Sequence, residues 1–204
     1  MKLTRGNDFV KNKKIQVFGF LLICFSLIMI VVFNNEDEIE KVDFHGKVMG
    51  YSDLEELEDA SPVIVRGTKK KENSVEVFRS KANNEVIGGY TESSFVISEV
   101  YKNSEGRKDV EHGNEIRISE MAFYDEETKA IYTVNDYENM EFDEEYLLFL
   151  VPVDNGMYSP RGVTFGKVIM SESVLNQNRS LSEGVDTDVV VNIAKEAQKK
   201  YREK

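Results

Sequence analysis

The chain has 204 residues, 41% hydrophobic and 31% charged, which is enough for one domain with a real core plus appendages and too little for two large domains. Its 37 acidic and 26 basic residues give a formal net charge of -11, which excludes nucleic-acid binding as a function class. Cys24 is the only cysteine, so a disulfide scaffold and cysteine-based zinc or redox centres are excluded as well.

Residues 1–14 carry five basic side chains (Lys2, Arg5, Lys11, Lys13, Lys14) against one acid, Asp8. The run from Ile15 to Phe33, IQVFGFLLICFSLIMIVVF, carries no charge. At about 1.5 Å per residue it nearly matches the ~30 Å hydrocarbon thickness of a bilayer. Glu36, Asp37, Glu38 and Glu40 follow it. Basic residues before the span place that flank in the cytoplasm. Residues 1–14 are therefore expected to be a cytoplasmic tail and 15–33 an uncleaved transmembrane signal anchor, with everything after Phe33 outside the cell membrane. The run lacks the small-residue cleavage site of a signal peptide, and Leu21-Leu22-Ile23 before Cys24 is unlike a lipoprotein signal. Beyond the tail stand 21 basic and 36 acidic residues, a formal charge of -15 for the outer part. A cysteine-free outer domain suits a bacterial envelope.

Residues 34–50 are acidic and aperiodic and are expected to form a stalk. Ser52 with Glu55 reads as a capping box opening a short helix, with Leu54 and Leu57 on its apolar face. From Pro62 the pattern turns to strands. Pro62–Gly67 is the first. Lys69-Lys70-Lys71 is expected to be a solvated edge or loop, Val75–Phe78 alternates, and Gly88-Gly89 is expected to break the chain. Phe95–Tyr101 reads as a longer strand, Asn103–Gly113 as a polar loop and Ile116–Ile118 as a further strand. Asp125–Thr128 reads as a turn before the strand Ala130–Val134. The run Tyr146–Val151, YLLFLV, is apolar on both faces and short, which predicts a central strand covered on both sides, with Pro152 at its exit. Asp154-Asn155-Gly156 is a turn, and Val163–Ile169 supplies the last strand or pair. Near the C-terminus, Val190, Ile193, Ala194, Ala197 and Tyr201 form one stripe of a helix capped by Asp186 or Thr187 and packed on the barrel.

The expected fold class is mainly β: a small OB-like closed or partly open barrel spanning 51–170, a short helix before the first strand, and a linker with a C-terminal helix at 171–204. Three segments carry a resemblance: LEELEDASPVIVRG (Leu54–Gly67), TESSFVISEVYK (Thr91–Lys102) and EEYLLFL (Glu144–Leu150). In that order they resemble a family of anchored or secreted proteins of Bacillus-like bacteria. More distantly they resemble the netrin-like OB barrel of the tissue inhibitors of metalloproteases. The resemblance implies a barrel fold. It implies no protease inhibition, because those inhibitors chelate the protease metal through N-terminal cysteines, and this chain has none outside 15–33.

No catalytic, cofactor or metal residue is singled out. His45 and His112 belong to no ligand or nucleophile motif and read as surface histidines. Asp136, Glu138, Glu141, Asp143, Glu144 and Glu145 form an acid cluster able to offer oxygens to Ca²⁺ or paired carboxylates to a glycoside, but calcium-loop spacing is missing and a solvated face is favoured. The expected function is a non-catalytic, single-pass, membrane-anchored extracytoplasmic binding or adaptor module of the cell envelope. Its expected contacts are the lipid bilayer through residues 15–33 and an envelope protein partner. The alternatives are a cation or small-ligand sensing domain, or an enzyme whose site has no recognised motif.

Overall fold

The computed structural model describes residues 39–171 and 187–202. The expected anchor at 15–33 and the cap at Asp186 lie outside the described residues. Among the described residues no helix is long and apolar enough to cross a membrane.

The elements in chain order are β1 (Glu40–Phe44), α1 (Leu54–Ala60), β2 (Val63–Arg79), β3 (Val86–Asn103), β4 (Glu115–Glu120), β5 (Ala122–Asp125), β6 (Ala130–Val134), β7 (Glu145–Val153), β8 (Met157–Pro160), β9 (Lys167–Ile169) and α2 (Thr187–Arg202). A six-stranded sheet runs in the order β2-β3-β4-β8-β7-β9, and β2 pairs again with β7. The sheet is thus partly ringed. Its seam is β4 against β8, a parallel contact through the single pair Ile118↔Tyr158, whereas β2 and β7 pair over six positions from Val63↔Leu150 to Thr68↔Glu145. A second sheet, β1-β6-β5, stands beside the ring.

The apolar run before Pro152 serves two cores. Tyr146, Leu148 and Leu150 point into the ring with Val63, Val65, Phe95, Ile97, Ile116 and Ile118. Leu147 and Phe149 face outward, where Leu57 of α1 and Val190, Ile193, Ala194, Ala197 and Tyr201 of α2 cover them. Strand alternation of period two divides the run, and burial on both faces removes the polar positions a half-exposed strand shows. The α2 stripe is buried as expected, and α2 is fastened at its end. Tyr201 donates to Glu58 at 2.8 Å, Gln198 to the Ile169 carbonyl at 2.5 Å, and Arg202 to the Met170 carbonyl at 2.6 Å. Lys199, Lys200 and Arg202 in its last turn complement the helix dipole.

Several local expectations differ from the structure. The α1 cap is one residue later: Asp53 accepts from the Glu56 amide at 2.9 Å, and Glu56 reaches back to the Ser52 amide at 2.7 Å. Within the segment expected as a stalk, Glu40–Phe44 is a strand parallel to β6. Asp43 holds it there, accepting from Thr133 at 2.6 Å and from the Asp136 amide at 2.8 Å, while Phe44, Tyr132 and Phe123 stack in sequence at 5.5 and 5.4 Å. Gly88-Gly89 does not break the chain. It lies inside β3, because a Cβ on Gly89 would stand 2.7 Å from the Phe123 ring that packs there. β2 and β3 are accordingly one long ribbon of 17 and 18 residues, bent by five register irregularities, two with the extra residue in β2 and three with it in β3. The final pair shrinks to β9, and Met157–Pro160, a strand too short and proline-bounded to stand out, is β8.

Substituting Asp43 by Ala removes both hydrogen bonds its side chain accepts from β6 and the following turn and is expected to destabilise the protein by about 1–2 kcal/mol. Hydrogen exchange is expected to show the loss confined to the β1–β6 amides, with the ring amides unchanged.

Candidate functional site

Lys69 belongs to the triplet expected to be solvated, yet it is only 1% exposed. Strand alternation runs from Val63, Val65 and Gly67 to Lys69 and turns its side chain into the ring, and the bulge follows at Lys70. Its ammonium stands 3.0 Å from a Glu120 oxygen, 2.7 Å from Glu72 and 2.8 Å from the Met140 carbonyl. Glu120, fully buried, also accepts from Ser93 at 2.5 Å and from the Met140 amide at 2.6 Å, with the Tyr137 hydroxyl at 3.4 Å. Burial, then the Glu120 charge, pushes the Tyr137 phenol well above its ordinary value. Phe142 lies over the Lys69 ammonium at 5.0 Å to its centroid. The donors and acceptors of this cluster are matched to one another. It pins the segment 137–142 to the ring and presents no free nucleophile.

Lys167 enters from β9, donating to the Glu138 carbonyl with its ammonium 4.2 Å over the Tyr137 ring. Loss of hydration pulls its pKa down to about 8, against the opposing pull of Glu120 and Glu138. The unfolded chain therefore binds this proton more tightly between about pH 8 and 10.5, so stability from this group rises as pH climbs through that window. The phenols act oppositely. Burial foremost raises Tyr101, Tyr146 and Tyr158 to about 12, and their contribution falls as pH passes from about 10 toward 12. Chemical denaturation across this range is expected to show stability rising between pH 8 and 10, a rise that Lys167→Met abolishes.

Two grooves flank the distal part of the β2–β3 ribbon. The first, of about 560 Å³, runs between the β5–β6 hairpin and the segment 137–142 and includes Val75, Phe123, Tyr124 and Phe142 in its walls. The second, of about 530 Å³, lies on the other face of the ribbon, where Glu76 pairs with Tyr90 and Phe78 with Gly88. Phe78, Tyr90, Met121, Val153 and Met157 line it, with Asp154 and Asn155 of the β7–β8 turn at one end. Phe78 and Tyr90 stand 6.0 Å apart, and the Arg117 guanidinium holds the turn through the Asn155 carbonyl. Around these grooves large apolar side chains lie open to solvent: Val75 is 43% exposed, Phe78 51% and Ile87 63%.

The acid cluster is dispersed. Asp136 pairs with Lys41 at 3.4 Å, Asp143 with Lys70 at 2.7 Å, and Glu145 of β7 stands 3.4 Å from Arg66 of β2. Glu138 and Glu141 border the first groove. No group of three or more His, Cys, Asp or Glu able to hold a metal occurs among the described residues. His45 stands 3.1 Å from Asp43, and His112 bonds the Ser98 carbonyl at 2.6 Å. The pairing of Lys69 with Glu120 carries no sequence signal, although alternation from Val63 and Val65 selects the first of the three lysines as the inward one. No family model matches this chain, and no curated protein matches it in sequence.

Proposed function

We propose that this chain is a single-pass, membrane-anchored extracytoplasmic adaptor, non-catalytic, that binds an envelope protein through the distal face of the β2–β3 ribbon. The observation that carries this reading is the aromatic groove between that ribbon and the β7–β8 turn, lined by the exposed Phe78, with the exposed Ile87 next to Gly88, the β3 partner of Phe78. A monomer rarely leaves such residues together in water unless something covers them. The acidic character of the outer part and of Glu76 and Asp154 at the groove favours a partner segment that is apolar and basic. The uncharged run Ile15–Phe33 supports the anchor, with the basic tail inside.

The finer fold reading belongs to the same proposal. The circuit β2-β3-β4-β8-β7-β2, antiparallel except at β4–β8, supports an OB-type barrel. In such barrels the face of the second and third strands, here β3 and β4, flanked by hairpin loops, commonly takes the ligand, and Tyr90 of β3 and Ser119 of β4 line the aromatic groove.

The experiment is a paired substitution, Phe78→Ser with Ile87→Ser, in the full-length chain expressed in its own cells. Both side chains are more than half exposed, so folding stability is expected to stay within about 0.5 kcal/mol of wild type. Capture of the partner is expected to drop by about tenfold or more. Undiminished capture of the same partner would remove the support for this face.

A further inference from the structure

We propose that the first groove, under the β5–β6 hairpin, binds a small organic cation: an amidinium or guanidinium carried on a flat apolar body. The walls are apolar and include the exposed rings of Tyr124 (41%) and Phe142 (55%). At about 560 Å³ the groove is within the ~300–1,000 Å³ range of small-molecule sites.

The charge around it is unbalanced. Lys41 is taken by Asp136, and Lys69 is shared between Glu72 and Glu120. Glu138 and Glu141 have no ion pair at contact distance among the described residues, although Lys167 faces them from β9 and offsets part of their charge. Three ammoniums against five carboxylates leave two negative charges uncompensated. An anion is repelled there, and a cation is attracted.

Asn139 in the groove wall offers one further acceptor. The Asn139 amide donates its Nδ2 to the Ala122 carbonyl at 3.0 Å, which fixes the amide's orientation. Its Oδ1 is buried with no hydrogen-bond partner among the described residues. A buried acceptor without a donor is costly, and a ligand N–H would relieve that cost once the groove wall opens to it. A planar cation additionally stacks on the exposed ring of Tyr124. This site lies on the opposite face of the ribbon from the proposed partner surface, and either reading stands without the other.

The test is a ligand-observed NMR titration of the full-length chain in zwitterionic nanodiscs, with empty nanodiscs as the blank. The probes are benzamidine, its neutral analogue benzamide and its anionic analogue benzoate. Benzamidine is expected to bind about tenfold tighter than benzamide, with benzoate not binding. Glu138→Gln with Glu141→Gln is expected to bring benzamidine down to the benzamide level without changing the unfolding midpoint, since both carboxylates are exposed. Equal affinity for benzamidine and benzamide overturns the proposal, as does benzamidine affinity unchanged by the double substitution. The absence of saturable benzamidine binding overturns it too.

Discussion

Replacing Lys69 by Met is expected to destabilise the protein by about 3–5 kcal/mol, because it leaves the Glu120 carboxylate buried with its cation gone. Glu120→Leu is expected to cost a comparable amount, since the Lys69 ammonium, the Ser93 hydroxyl and the Met140 amide then lose the acceptor they share. The double variant is the informative one. Replacing both partners by apolar groups removes the stranded charge, so the two losses are expected not to add, and the pair is expected to recover about 2 kcal/mol or more over their sum. Urea denaturation of the four proteins checks this. Strict additivity would mean that the two side chains do not act as a pair. Because the cluster pins 137–142, both single variants are also expected to loosen the wall of the adjoining groove.

The second large effect belongs to Gly67. β2 pairs with β7 on one side and β3 on the other at this position, and a register shift falls between Arg66 and Gly67. A Cβ there would stand 2.1 Å from the Val96 carbonyl oxygen and 2.7 Å from the Phe95 ring. The obstacle is backbone of the neighbouring strand, which cannot swing aside as a flexible side chain can. Gly67→Ala is therefore expected to cost about 3 kcal/mol or more by forcing β2 and β3 apart where the ring closes. Gly50→Ala is the control: nothing lies within 4 Å of its Cβ, and a small effect, within about 0.5 kcal/mol, is expected. Thermal unfolding of the two variants separates backbone crowding from any general effect of adding a methyl group.

The parts of the fold legible in the sequence are those set by local pattern. YLLFLV reads as a strand covered on both sides, and it pairs on both edges and buries both faces. The stripe from Val190 to Tyr201 reads as a helix packed on the sheet, and those side chains are buried. What escapes reading is set by distant residues. Gly88-Gly89 has the local chemistry of a chain break, and only Phe123, more than thirty positions away, makes it a place where a strand accepts a ring. Lys69 has the local chemistry of solvent, yet alternation from Val63 and Val65 turns it inward, and only the distant Glu120 pairs its charge there. The acid-rich stalk gains a strand because Asp43 finds Thr133 and the Asp136 amide. The grooves were illegible for the same reason. Phe78 and Tyr90 are unremarkable in sequence and meet Val153 and Met157 only once the ribbon curls against β7–β8.

The most direct measurement is site-specific photocross-linking in living cells. A photoreactive phenylalanine analogue would replace Phe78 or Ile87 of the full-length chain, with Glu196 on the exposed side of α2 as the reference position. The adaptor reading predicts one discrete cross-linked protein, the same from positions 78 and 87 and absent from 196. Cross-links of equal pattern from all three positions, or none from 78 and 87 while the protein is folded and present in the membrane, would contradict it.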